Sequence, residues 1–216
     1  SRVHDIHGPA SLKAVEEFSP DLGLSLAAPI LQRRLFAIPR HGTLNLHKGQ
    51  LPEYRGMPPA FWELWNGEDH VGCTVHRVDD KLDGGGVVRA VRVGRQQYAT
   101  LRGLQLELDE VGIGLMREAA HDVLAGRAVT VEQAGQGKTY RKPTLAQVAV
   151  LHKKLRHVRH PERRSVRQVS KAALLGTAFN LSRWGARRII SPRITVLLYH
   201  RVSDSARDNL TVGIEQ

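Results

Sequence analysis

Residues 44–56 read LNLHKGQLPEYRG, an apolar run carrying Asn45 and His47 that breaks into a turn holding Pro52 and Gly56. The alternation in GTLNLH predicts a β-strand, and residues i and i+2 of a strand project from one face. Asn45 and His47 therefore point together, an amide beside an imidazole where a strand meets a loop. Such a pair either closes the strand's own hydrogen bonds or lines a cleft.

Before this stretch, SLKAVEEFS has helical spacing with Ser11 as its N-cap, DLGLSLAA predicts a short buried strand, and PILQRRLFAIP supplies one or two helical turns. After it, Pro58 and Pro59 open a short helix, PPAFWELW, that stops at Asn66-Gly67 and carries Trp62 and Trp65 as core residues. VGCTVHRV alternates as a strand should, and GGVVRAVRV supplies another after a Gly-rich turn. Residues 99–126 predict a long amphipathic helix, weakened by Gly103, Gly112 and Gly114. VTVEQAGQGKTYRKPT reads as an edge strand with an irregular end. Helix and strand alternate, so the class is α/β with a mostly parallel sheet.

At 216 residues the chain is long enough for one sizeable core. The single Cys73, set in VGCTVH as a small core residue, excludes an intramolecular disulfide framework. No apolar run approaches the roughly 18 residues of a membrane span, and no signal peptide is visible, which points to the cytoplasm. The net charge of +11 is concentrated: residues 138–193 hold 15 Lys/Arg against one acid, Glu162, and the flanks are nearly neutral. The stretches LAQVAVLHKKLRHVRHPERRS and VRQVSKAALLGTAFNLSRWGARRII predict a basic helical linker over residues 144–193, broken at Pro161. With no initiator Met and a strand-like run close to its end, the chain reads as part of a longer protein.

Residues 45–86, NLHKGQLPEYRGMPPAFWELWNGEDHVGCTVHRVDDKLDGGG, resemble the signature of the folate-dependent formyltransferase family. Its members act on methionyl-tRNA, glycinamide ribonucleotide and amino sugars. The shared pattern is Asn-x-His, Leu-Pro-x-Tyr-Arg-Gly, a short helix ending in Asn-Gly, a Gly-x-Thr-x-His strand and a turn ending in Leu-Asp-x-Gly. The likeness extends more loosely over residues 15–143. It implies a Rossmann-like domain over residues 1–143 that lacks its N-terminal part. Departures are present: Lys48-Gly49 stand where many members carry Pro-Ser.

The resemblance implies a catalytic set of Asn45, His47 and Asp83. It implies 10-formyltetrahydrofolate as donor, with a donor loop at residues 25–28 and donor contacts at Leu26, Ala27, Asp79 and Leu82. Tyr54, Arg55, Thr74 and His76 would touch the substrate or support the site, and no metal is expected. The residue types suit the chemistry. Passing a formyl group to an amine places negative charge on a carbonyl oxygen, which an amide N–H and an imidazolium stabilise. The amine must also lose a proton, work for an imidazole titrating near neutrality and steadied by a carboxylate. Singly, each residue has a plainer reading: Asn45 and His47 as strand-end residues, Asp83 as a turn residue before glycines. The motif's order favours function.

TVLLYHRVSD, residues 195–204, resembles the opening strand of polysaccharide deacetylases, so residues 194–216 read as the start of a truncated domain of that type. With that neighbour, the expected acceptor is a small amine, an amino sugar of a nucleotide- or lipid-linked glycan precursor. Residues 146–190 suit an anionic membrane surface. RNA is less favoured, because the tRNA-modifying members carry a C-terminal β-barrel whereas this stretch reads helical. Two alternatives stay open at this point: methionyl-tRNA as acceptor, and a non-catalytic formyltransferase-like binding module.

Overall fold

In chain order the elements are α1 (Pro9–Phe18), β1 (Leu22–Leu26), α2 (Arg33–Phe36), β2 (Thr43–His47), β3 (Tyr54–Gly56), α3 (Phe61–Trp65), β4 (His70–Arg77), β5 (Val87–Gly94), α4 (Leu101–Leu124), β6 (Lys138–Tyr140), α5 (Leu145–Arg156) and β7 (Ile194–Leu198). They come from a computed structural model that describes residues 5–95, 100–135, 137–156 and 194–198. The main sheet has the order β5-β4-β2-β1-β7. Strands β7, β1 and β2 run parallel, and β4 runs against both β2 and β5. All strands of this sheet except β4 thus point the same way, in keeping with the α/β class and mostly parallel sheet that the sequence predicts. Strands β3 and β6 form a separate parallel pair.

Alternation along the strands sorts their residues between the two faces. Leu22 of β1, Leu44 of β2 and Val75 of β4 are fully buried in a cluster with Met116, Ala119, Ala120 and Val123 of α4. Val71 and Cys73 of β4 join Phe61, Leu64, Leu104 and Leu108 in a second cluster. Each fully buried aliphatic side chain there contributes on the order of 1.5–3 kcal/mol. Ser25, Asn45, His47, Thr74 and His76 occupy the intervening positions, so they face away from α4. The helix lies tight against the sheet at Gly112, where an added Cβ would meet Leu46 at 2.8 Å and Cys73 Sγ at 3.1 Å. That glycine, a weakness by propensity alone, is what the close approach requires.

Several expectations are corrected. Helix α1 begins at Pro9 with Gly8 as its N-cap. Ser11 lies inside the helix, and its hydroxyl donates to the Asp5 carbonyl at 2.6 Å. Pro58 and Pro59 precede α3 rather than open it; Ala60, at φ 63°, turns the chain into the helix. In VTVEQAGQGKTYRKPT the run from Val129 makes only the isolated bridge of Val131 with Val87, and the strand of this stretch is β6, paired with β3 and not with the edge of the main sheet. Within the segment 144–193, α5 lays Leu151 and Leu155 into the core cluster around Phe61. The remaining basic residues, 157–193, and the tail 199–216 lie outside the described residues.

Two glycines make opposite predictions. An added Cβ at Gly114 meets nothing within 4 Å, so Gly114→Ala should stabilise the fold by about 0.5–1 kcal/mol through helix propensity. At Gly72 a Cβ would stand 2.3 Å from the Gln50 backbone nitrogen. Gly72→Ala should therefore cost about 1–3 kcal/mol. Urea titration of both variants checks the pair.

Candidate active site

Strands β1, β2 and β4 put three polar residues in one row across the sheet, because Ser25 stands in register with Asn45 and Asn45 with His76. The row is bonded throughout. Ser25 Oγ donates to Asn45 Oδ1 at 2.8 Å, and Asn45 Nδ2 lies 3.1 Å from His76 Nε2. His76 Nδ1–H donates to the Arg77 carbonyl at 2.8 Å, which leaves Nε2 to accept from the amide. Ser25 and His76 are each only 3% exposed, and buried polar groups of this kind persist only when bonded.

Two residues along β2, the His47 imidazole donates from Nε2 to the Tyr54 carbonyl at 2.6 Å. Gly49 allows that approach, since a Cβ there would meet His47 Nε2 at 2.5 Å and the Tyr54 oxygen at 2.8 Å. The Lys48-Gly49 pair thus has a local reason: the glycine admits the ring, and Lys48 pairs with Asp109 of α4.

Asp83 arrives from the loop between β4 and β5, at φ 49°. Its Oδ2 stands 3.6 Å from His47 Nδ1 and its Oδ1 3.7 Å from His76 Nε2. The Gly56 N–H donates to Oδ2 at 3.0 Å. Gln133 holds the loop from behind, donating to the carbonyls of Asp83 and Gly85 at 2.8 Å each and accepting from Arg55 Nη2 at 3.0 Å. Asn45, His47 and Asp83 are therefore brought together, with His76 between two of them.

The charges are set by burial against neighbours. Burial pushes the His47 imidazole below its ordinary pKa, against the upward pull of the Asp83 charge and the Tyr54 carbonyl. For Asp83, burial pushes upward, but nearby His76, the His47 charge and the Gly56 N–H together bring the carboxyl below its ordinary value. The pair is thus biased toward a neutral base beside an ionised acid.

A cleft of about 120 Å³ opens beside this floor, lined by Ser25, Asn45, His76, Asp83 and, at its walls, Ile30, Val78, Asp79 and Leu82. Asp79 and Leu82, two of the expected donor contacts, are among the lining residues. Leu26 and Ala27 do not line the cleft. The strand's alternation turns Leu26 toward the α4 side, against the cluster of Leu22 and Met116, and Ala27, at φ 53°, turns the chain. Their neighbours Ala28 to Leu31 take the lining positions. Thr74 supports from behind, its Oγ1 donating to the Gly49 carbonyl at 2.9 Å. Tyr54 stacks on Tyr140 with ring centroids 5.4 Å apart and donates its hydroxyl to Glu68. Trp62 and Trp65 pack against the core around Phe61, as core residues should. Among the described residues no cluster of His, Cys, Asp or Glu is arranged to hold a metal ion.

Two residues of this neighbourhood escape a reading by motif: Ser25 as a partner of Asn45, and Glu63. Gln133, in a stretch that resembles the family's Gln-containing closing segment, gains its role only here, as anchor of the Asp83 loop. Glu63 is 3% exposed, and its Oε1 accepts the N–H of Gln50 at 3.1 Å and of Gly72 at 3.0 Å, tying the loop after His47 to β4. The available signal was a lone polar residue in an apolar run, LGLSL or FWELW.

The profile of the formyl transferase family matches residues 5–112. Methionyl-tRNA formyltransferase of Geobacter sulfurreducens is 34% identical over 131 residues, 59% of this chain and 41% of that protein. The enzyme of the same description from Geobacillus thermodenitrificans is 31% identical over 136 residues, 62% of this chain and 43% of its own. The chain thus spans well under half the length of these relatives. Among solved structures, a sugar N-formyltransferase from a Shewanella species superposes with TM-score 0.55 at 17% identity, covering 68% of this chain and 64% of that one. The formyltransferase PseJ from Anoxybacillus kamchatkensis, in complex with a UDP-linked formamido sugar and tetrahydrofolate, gives TM-score 0.50 at 23% identity, covering 56% and 64%. Those two similarities concern the fold.

Replacing Asp83 by Asn should remove the charge that pulls the His47 pKa upward, so the imidazole should titrate at still lower pH; an NMR titration of its ring protons reads this directly. Burial pushes the Glu63 carboxyl up to about 7 from an ordinary 4.5, despite two N–H donors that favour the ionised form. The folded state then binds this proton more tightly than the unfolded chain, so wild-type stability should fall as pH rises from about 4.5 through 7, by up to about 3 kcal/mol. Glu63→Gln should flatten that dependence in denaturant unfolding across the same range.

Proposed function

The chain belongs to the formyl transferase family, and from that membership we propose that it transfers a formyl group from 10-formyltetrahydrofolate to an amine. The observation that carries the reading is the meeting of Asn45, His76 and Asp83 at the floor of one cleft, with the His47 ring 3.6 Å from Asp83 just beneath it. The cleft suits the donor: Ile30, Leu31, Val78 and Leu82 offer apolar walls to a flat ring, and the Asp79 carboxylate offers an acceptor to ring N–H groups. The donor supplies an activated formyl carbon. Asn45 has a second N–H beyond the one directed at His76, and it stabilises negative charge on the carbonyl oxygen. His47 carries its proton on Nε2, so Nδ1 is the free lone pair that takes the proton lost by the amine. The new imidazolium then faces the ionised Asp83, which favours it, and the proton passes to the folate nitrogen as its bond to the formyl carbon breaks and tetrahydrofolate leaves.

For the acceptor, the reading is an amino sugar on a nucleotide or lipid carrier. It is supported by the helical continuation at α5 where a tRNA-modifying member would carry a β-barrel, and by the deacetylase-like residues 195–204. A second reading, methionyl-tRNA, is favoured by the sequence relatives and by the basic residues 138–193. The two acceptors part on binding: tRNA recognition through the basic stretch would weaken steeply with salt, and a nucleotide-linked sugar would not depend on that stretch. Contact of residues 146–190 with an anionic membrane surface would fit a lipid-linked acceptor. Among the described residues no helix is long and apolar enough to cross a membrane.

Incubating the chain with 10-formyltetrahydrofolate and either nucleotide-linked amino sugars or methionyl-tRNA, and following tetrahydrofolate release, tests the proposal. Transfer to the sugars is expected, with Asn45→Ala lowering the rate about 10²–10³-fold and His47→Ala at least as much. Donor binding without turnover on any amine would leave a binding module in place of the enzyme.

A further inference from the structure

We propose that Ser25 is a positioning residue for this reaction: by donating to Asn45 Oδ1 it pins the carboxamide so that an N–H, and not the carbonyl, is presented to the reacting oxygen. The inference rests on the formyl-transfer reading of the site. A carboxamide has two ends of nearly equal size and opposite polarity, and a half-turn about its last bond exchanges a donor for an acceptor. On the cleft floor that exchange reverses the effect on a developing negative charge, from stabilising to repelling. An Asn in this role must therefore be held at both ends.

The structure provides the hold as a directional chain of hydrogen bonds running across three strands. The Arg77 carbonyl accepts from His76 Nδ1–H at 2.8 Å, which makes His76 Nε2 the acceptor for Asn45 Nδ2 at 3.1 Å. Asn45 Oδ1 then needs a donor, and Ser25 Oγ–H supplies it at 2.8 Å. With either end bonded alone the amide could turn about the remaining contact. With both bonded, its free N–H is aimed. Ser25 interrupts the apolar run LGLSL and is 3% exposed. A hydroxyl in such a place costs free energy unless it is bonded, and Asn45 is the partner it bonds.

The test uses the 216-residue chain as wild type, Ser25→Ala and Ser25→Thr. Formyl transfer should show kcat reduced about tenfold in Ser25→Ala, the loss of one buried hydrogen bond, with KM for the donor unchanged within about twofold, and Ser25→Thr should recover most of the loss. The side-chain NH₂ signals of Asn45, assigned by their disappearance in Asn45→Asp, should exchange with water at least about tenfold faster in Ser25→Ala than in wild type, and not in Ser25→Thr. Wild-type kcat in Ser25→Ala, equal losses in the Ala and Thr variants, or unchanged Asn45 exchange would each overturn the proposal. A wild type that transfers no formyl group to any amine would defeat the functional reading instead, and the exchange rates alone would then judge the clamp.

Discussion

A largely buried carboxylate flanked by two imidazoles at the edge of the cleft governs this molecule. Removing Asp83 from water costs several kcal/mol unless partners replace its solvation, and the partners come from three separate parts of the chain. Strand β2 brings His47 and β4 brings His76, whose ring nitrogens stand 3.6 and 3.7 Å from the carboxylate and can take up a proton beside it. The end of β3 brings the Gly56 N–H, which donates to it. None of these is adjustable by itself. The turn that carries Asp83 adopts a left-handed backbone, and its carbonyls are held by Gln133. The burial that raises the cost of the charge also keeps His47 neutral, so one arrangement sets both members of the acid–base pair.

The same strands build the core and the site. Leu44 and Leu46 of β2 meet α4, while Asn45 meets the cleft and His47 meets Asp83 on the same face. A slip of one residue would bury the amide and imidazole against α4 and expose the leucines. The site's register is therefore enforced by the free energy of the core, which is far larger than that of the polar contacts. Gly112 contributes by letting α4 sit close enough to grip Leu46 and Cys73.

What could be read from the sequence follows from the range of the interactions. The strands β2 and β4 were legible because alternation is local, and Asn45, His47 and Asp83 because they stand in an ordered motif. The contacts of Ser25, Glu63 and Gln133 were not, because each joins residues distant along the chain: Gln133 meets Asp83 across 50 positions and Ser25 meets Asn45 across 20. Likeness of position put Leu26 and Ala27 at the donor; strand alternation turns the Leu26 side chain toward α4 and a left-handed turn at Ala27 leads the chain to the lining residues Ala28–Leu31, neither of which the motif states. Ser11 lost the N-cap to Gly8 because Pro9 supplies the helical φ at no cost in hydrogen bonds.

Gln133 carries one more implication. It joins the Arg55 guanidinium to the Asp83 loop, and it is followed by Lys138–Tyr140, which pairs with Tyr54–Gly56 beside His47. A ribosome releasing this chain from the N-terminus would let β1, β2, β4 and β5 pair before the closing segment emerges, with β7 joining the sheet later still. The nascent protein would thus possess a framework without a finished reaction centre, and competence would arrive as a late event of synthesis.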